Sequence, residues 1–159
     1  MTRRKGPLPS PDTFPDLLLT FVALSGELPS ALVSRLPGSD SYKAYAVKIL
    51  KREKLLRTYY HDGLRGLRLT SIAKNLLAAR QPDRYLPLFT GDTATNTPKY
   101  SVPHRLRLHR MAEVLVTAYN AGLLTFPWEK PPVFQAELDD AGLYIGPPYY
   151  SSREVKEIG

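Results

Sequence analysis

SYKAYAVKILKREKLLRTYYHDGLRGLRLT, Ser41 to Thr70, changes period part-way and stays positively charged throughout. Its first half repeats apolar residues with a helical spacing, and its second half alternates as strands do. At 100° per residue, Tyr42, Tyr45, Ala46, Ile49 and Leu50 fall in one arc. Lys43, Lys48, Lys51 and Lys54 fall in another, with Ala44 and Val47 between and Arg52 on the border. The first arc is expected to pack and the second to face outward. Ser39, Asp40 or Ser41 can cap this helix, which is expected to run from about Ser41 to Glu53. Leu55–Tyr60 then reads as a strand. His61-Asp62-Gly63 and Gly66 supply turn residues, and Leu67-Arg68-Leu69 returns as the second strand of a hairpin.

Upstream, a helix is expected from Thr13 to about Leu24. Thr13 can cap it, Pro15 suits the first turn, and Asp16 favours the positive end of the helix dipole. Ser25-Gly26 ends it, and a short helix over about Pro29–Leu36 follows, closed by Pro37-Gly38. Downstream, Thr70 or Ser71 caps a helix that stops before Pro82. The order implies an α+β chain, mainly helical with a small hairpin: a winged helix-turn-helix over residues 12–81, preceded by a basic arm without regular structure (1–11). Docking geometry would then set the Ser41–Glu53 helix in the major groove of duplex DNA.

Residues 82–100 read as a loop, with Leu86–Phe89 as a candidate short strand. A long helix follows over 101–122, ending at Gly122. Leu108, Met111, Ala112, Leu115, Val116 and Tyr119 form its apolar stripe, widened by Val114 and Ala118, while His109, Arg110, Glu113 and Thr117 face away. The stripe would cover the preceding domain or pair with a second copy of itself. Residues 123–159 are rich in proline and aromatics, with possible strands at 133–138 and 143–145. The closing SSREVKEIG resembles the start of a helix, so a longer protein is expected.

Charge narrows the class of partner. The net charge is +7, but residues 1–110 carry 19 Lys and Arg against 8 Asp and Glu, and residues 111–159 carry 3 against 7. A cationic front with an acidic back suits a polyanion partner. Phosphate contacts are expected from Lys43, Lys48, Lys51, Arg52, Lys54 and Arg57. Ser39, Ser41 and Tyr45 are the candidates for base-edge or methyl contacts. Arg65 and Arg68 flank the hairpin turn and are candidates for groove contacts, with Arg68 alternatively pairing with Asp62 or Glu53. Arg105, Arg107 and Arg110 make a second basic patch. Cations at a helix start oppose its dipole, so an anionic neighbour is expected there, Glu113 or DNA.

Other functions find less support. No cysteine is present, which removes disulfides and thiolate zinc sites. His61, His104 and His109 lack a metal-ligand spacing, and no phosphate-binding glycine loop or activated nucleophile is seen. Glu137, Asp139 and Asp140 cluster without a completing partner. No cofactor or metal is expected, nor any chemistry from this stretch itself. The longest apolar run, Leu17–Leu24, is too short to span a bilayer, and acids and prolines break any leader peptide. A bacterial or phage cytoplasm is the expected setting.

The lead ALSGELPSALVSRLPGS, the helix and strand YKAYAVKILKREKLLR, and the close GLRLTSIAK resemble the winged-helix segment of the replication-relaxation family of bacterial plasmids and conjugative elements. The resemblance covers about a third of the chain. It implies DNA handling in the replication or transfer of mobile elements. With the fold order and the charged third helix, the expected function is duplex-DNA binding in replication, transfer or transcriptional control of a mobile element by a homodimer, with the C-terminal region as the candidate surface for a protein partner. It transfers no catalytic residue. The alternatives are a protein-interaction module on the same scaffold and the N-terminal fragment of a DNA-processing enzyme.

Overall fold

Helix α2 (Asp40–Arg52) begins where Ser39, in extended backbone, accepts the Tyr42 N–H on its hydroxyl. Just beyond its end Lys54, with a φ of 58°, turns the chain into strand β2 (Leu56–His61). Strand β3 (Leu64–Leu69) returns antiparallel, with His61 opposite Leu64. The two intervening residues, Asp62 and Gly63, both have positive φ, 52° and 75°. That pairing is what a tight hairpin with right-handed strand twist requires, and Asp-Gly supplies it at low cost. The structure is a computed structural model that describes residues 7–89, 101–123 and 125–129.

Before α2 come helix α1 (Phe14–Ser25), strand β1 (Leu28–Pro29) and a 3-10 helix (Ser30–Arg35). After the hairpin come α3 (Ser71–Arg80), the single turn α4 (Pro82–Tyr85), α5 (Val102–Asn120) and a 3-10 turn at Pro127–Glu129. The fold is α+β, mostly helical, with one three-stranded antiparallel sheet in the order β1-β3-β2. The third strand was not expected. It is two residues long, too short to alternate, and pairs Leu28 with Leu67 and Pro29 with Gly66. The short second helix is 3-10 rather than α, so the expected third helix is α2.

Two further expectations are corrected. Gly66 does not belong to the turn; it lies inside β3, paired with Tyr59 and Pro29, and Glu27 packs over it so that a Cβ there would collide with the Glu27 carboxylate. Leu86–Phe89 is a turn rather than a strand, with Phe89 stacked on Tyr85 at 6.0 Å. The possible strands after residue 131, the Glu137, Asp139 and Asp140 cluster and the terminal SSREVKEIG lie outside the described residues.

The chain divides into two compact units, 1–116 and 117–159. In the first, α1 packs on α2 and β3, and α3 on β3 and α4. Leu18, Phe21, Leu28, Leu50, Leu55, Leu67 and Leu77 are buried there. Each such side chain contributes about 1.5–3 kcal/mol by leaving water. Thr70 caps α3 by accepting the Ala73 N–H at 3.1 Å and ties it to the end of α2 by donating to the Lys54 carbonyl at 2.6 Å. In the second unit, Phe126 lies 6.0 Å from Tyr119 and stacks on Trp128 at 5.1 Å. Among the described residues no helix is long and apolar enough to cross a membrane.

Candidate nucleic-acid interface

The buried stripe of α2 is Lys43, Ala46 and Leu50, not the tyrosine arc. Tyr42 and Tyr45 stand 46% and 60% exposed, Tyr42 leaning on Phe14. The seam is rotated because the neighbouring 3-10 helix leaves carbonyls that need a donor. Lys43 Nζ donates to Ser34 O at 2.7 Å and Leu36 O at 2.9 Å, beside the Asp40 carboxylate at 3.2 Å. Its expected outward role is therefore corrected: Lys43 is 4% exposed and ties the 3-10 helix to α2.

The opposite side of α2 carries Ser41, Ala44, Tyr45, Lys48 and Arg52, all exposed, with Lys51 on its flank and Lys54 just beyond its end. Ser39 spends its hydroxyl on the cap and lies 3.5 Å from the Ser41 hydroxyl. Arg52 lies beside Glu53 at 3.6 Å. A groove of about 390 Å³ runs between the 3-10 helix, α2 and the hairpin. Lys51, Thr58 and Arg65 line it, above an apolar floor of Val33, Val47 and Leu67. Its cations come from two elements, helix and hairpin, so their fields add over one opening.

Strand alternation sorts the remaining arginines. Directly opposed residues share a face. Thr58–Leu67 and Tyr60–Arg65 therefore face the groove, and Arg57–Arg68 and Tyr59–Gly66 face away from it. Arg57 is exposed but sits on the reverse face, where its charge and that of Arg68, after burial itself, lower the pKa of Lys74. Arg57 thus leaves the expected contiguous patch. At the hairpin end, the Arg65 guanidinium carbon stands 5.1 Å from the centre of the Tyr60 ring.

Arg68 and Arg105 are also corrected. Both are buried, 1% and 0% exposed, around the equally buried Glu27. Arg68 Nη2 and Nε donate to Glu27 Oε2 at 2.7 and 3.0 Å. Arg105 Nη2 donates to Oε1 at 2.5 Å, and His109 Nε2 lies 2.8 Å from the same oxygen. Arg105 also donates to His61 O at 2.8 Å and Leu64 O at 3.0 Å, clasping the hairpin turn from behind. The Tyr59 ring lies 3.8 Å from the Arg68 guanidinium carbon and 4.5 Å from that of Arg105. Burial pushes the Glu27 carboxyl up, but the bonds from Arg105, His109 and Arg68 outweigh it and hold the pKa down at about 2.

The anionic neighbour expected at the start of α5 is thus Glu27, not Glu113, which meets Arg35 at 3.4 Å. Arg107 and Arg110 remain exposed, so the second patch loses its first member. His109, expected to face away, turns inward to Glu27. The exposed apolar residues of α5 include Met111 and Val114, 42% and 65% exposed, both expected in its packed stripe. Glu27 carried no local signal. Its partners lie 41, 78 and 82 residues away, and only its isolation within a basic half of the chain sets it apart.

Arg68, Arg105 and Glu27 form a fully buried network whose carboxylate oxygens are already saturated by donors, so the cluster acts as a structural clasp. Among the described residues no group of His, Asp and Glu could hold a metal ion. No family model, curated protein or solved structure matches the chain.

Proposed function

We propose that residues 14–80 act as a winged helix-turn-helix that binds duplex DNA, with α2 in the major groove and the β2–β3 hairpin as the wing. The element order α1, β1, short helix, α2, β2, β3 supports this reading. The observation that carries it is the exposed side of α2, where Ser41, Tyr45, Lys48, Lys51 and Arg52 stand outward, with Lys51 sharing a groove with Arg65 of the hairpin. Lysine and arginine there anchor phosphates, and Ser41 and Tyr45 reach base edges or thymine methyl groups. The family resemblance adds a setting, the replication, transfer or control of a mobile element. On this reading the chain is a DNA-binding region without chemistry of its own.

The test is fluorescence anisotropy on a mixed-sequence duplex across a salt series. Neutralising four phosphates with Lys48, Lys51, Arg52 and Arg65 predicts a log–log slope of about −3.6, roughly a 150-fold weakening between 50 and 200 mM salt. The variant K48E/K51E should bind at least tenfold more weakly at low salt. Absence of binding at 50 mM salt, or indifference to the double reversal, refutes the reading.

A second reading draws on the exposed Leu106, Met111 and Val114 of α5. Apolar residues left on a helix face suit a protein contact, either a second copy of the chain or another partner. Under that reading DNA binding is absent and Met111→Glu abolishes self-association in sedimentation velocity.

A further inference from the structure

The hairpin tip presents an aromatic ring that does nothing for the core. Tyr60 is 62% exposed, on the groove side of β2. Its cross-strand partner Arg65 places a guanidinium over the ring, 5.1 Å from its centre. The two flat groups hold each other in place by attraction between the cation and the π-face. The turn beneath them is held from the other side of the sheet. Arg105, itself buried against Glu27, donates to the carbonyls of His61 and Leu64 on either side of Asp62-Gly63. The tip thus presents one exposed aromatic ring with the Arg65 cation over one of its faces, leaving the other face for a stacking partner, near a groove lined in part by Lys51 and Thr58.

Paired bases inside a duplex are stacked on their neighbours and offer no free face to such a surface. An unpaired base does. Aromatic rings backed by cations take unpaired bases with little regard to sequence, because every base has a π-face, while the charge holds the flanking phosphate. We propose that Tyr60 and Arg65 form a stacking site for one unpaired nucleotide, directing the protein to duplex DNA that contains a melted or looped-out position. The base stacks on Tyr60, and Arg65 and Lys51 hold its phosphates. The proposal rests on the duplex-binding reading and names the substrate class for its wing. Tyr60 here is a binding residue, and Arg105 is a positioning residue that holds the turn.

The experiment compares the full chain on a blunt duplex and on the same duplex with a three-nucleotide bubble carrying 2-aminopurine, at one salt concentration. The bubble should bind on the order of tenfold more tightly, with the 2-aminopurine emission quenched on binding. Tyr60→Ala should remove the quenching and bring the bubble affinity down to that of the same variant on the blunt duplex; Tyr60→Phe should retain both the preference and the quenching. Circular dichroism of Tyr60→Ala should match the parent, since the ring is solvent-exposed. Equal affinity for the two probes, or a preference that survives Tyr60→Ala, overturns the stacking site and leaves duplex binding standing. Failure to bind either probe overturns the duplex reading, and the stacking site with it.

Discussion

Replacing Glu27 by Gln keeps the shape of the side chain and removes its charge. The consequence follows from what surrounds it. Two guanidiniums, Arg68 and Arg105, would then be buried at 1% and 0% exposure with no counter-charge, and an amide NH₂ would face their N–H groups. Breaking a buried pair from one side costs about 3–5 kcal/mol. Proton affinity supplies a second estimate. The Glu27 carboxyl is held at about 2 instead of 4.5. At about 1.4 kcal/mol for each tenfold change in affinity, this corresponds to about 3 kcal/mol. Both estimates are a large share of the roughly 5–15 kcal/mol that holds a domain folded.

The sign with pH follows from the depressed value. The carboxylate contributes fully above about pH 4.5, and the contribution fades as pH falls toward 2. Arg68 from β3 and Arg105 and His109 from α5 face the carboxylate. Urea unfolding followed by circular dichroism should place Glu27→Gln about 3 kcal/mol below the parent at pH 7. The gap should narrow as pH is lowered from 5 to 2.5. A variant within about 1 kcal/mol of the parent at pH 7, or a gap that does not change with pH, would refute the account of the clasp.

Gly66→Ala should destabilise the same unit by about 2 kcal/mol or more, because the added methyl occupies the space of the Glu27 carboxylate; thermal unfolding at pH 7 reads it, and an unchanged midpoint would show that Glu27 can move aside. Lys43→Ala should cost about 1–3 kcal/mol by leaving the Ser34 and Leu36 carbonyls without their donor. Lys48→Ala, one turn along and exposed, should leave stability within about 0.5 kcal/mol and lower duplex affinity instead. Equal stability losses from the two lysine variants would contradict the rotated seam of α2.

Much of the secondary structure is written locally. Ser39 before α2, Thr70 before α3, Gly26 after α1 and Gly122 after α5 each act on backbone groups within a turn of themselves, so the expected helices lie within a few residues of those observed. Asp62-Gly63 likewise places the hairpin. The two-residue β1 escapes such a reading because it exists only through its partner strand. The candidate interface was partly legible. Lys48, Lys51, Lys54 and Arg65 stand outward as their spacing suggests, while Arg57 is turned to the reverse face by its register against Arg68.

The sequence by itself determined the order of the main helices and the hairpin, the charge asymmetry and a cationic helix running into a charged hairpin, because propensity, capping and period are properties of neighbouring residues. The tertiary structure alone decided which cations are free. Lys43 goes inward because carbonyls at 34 and 36 need a donor, and Arg68 and Arg105 go inward because Glu27 waits for them 41 and 78 residues away. A side chain's charge is legible from its own position, but the group that neutralises it is set by which distant segments the packing of the core brings together.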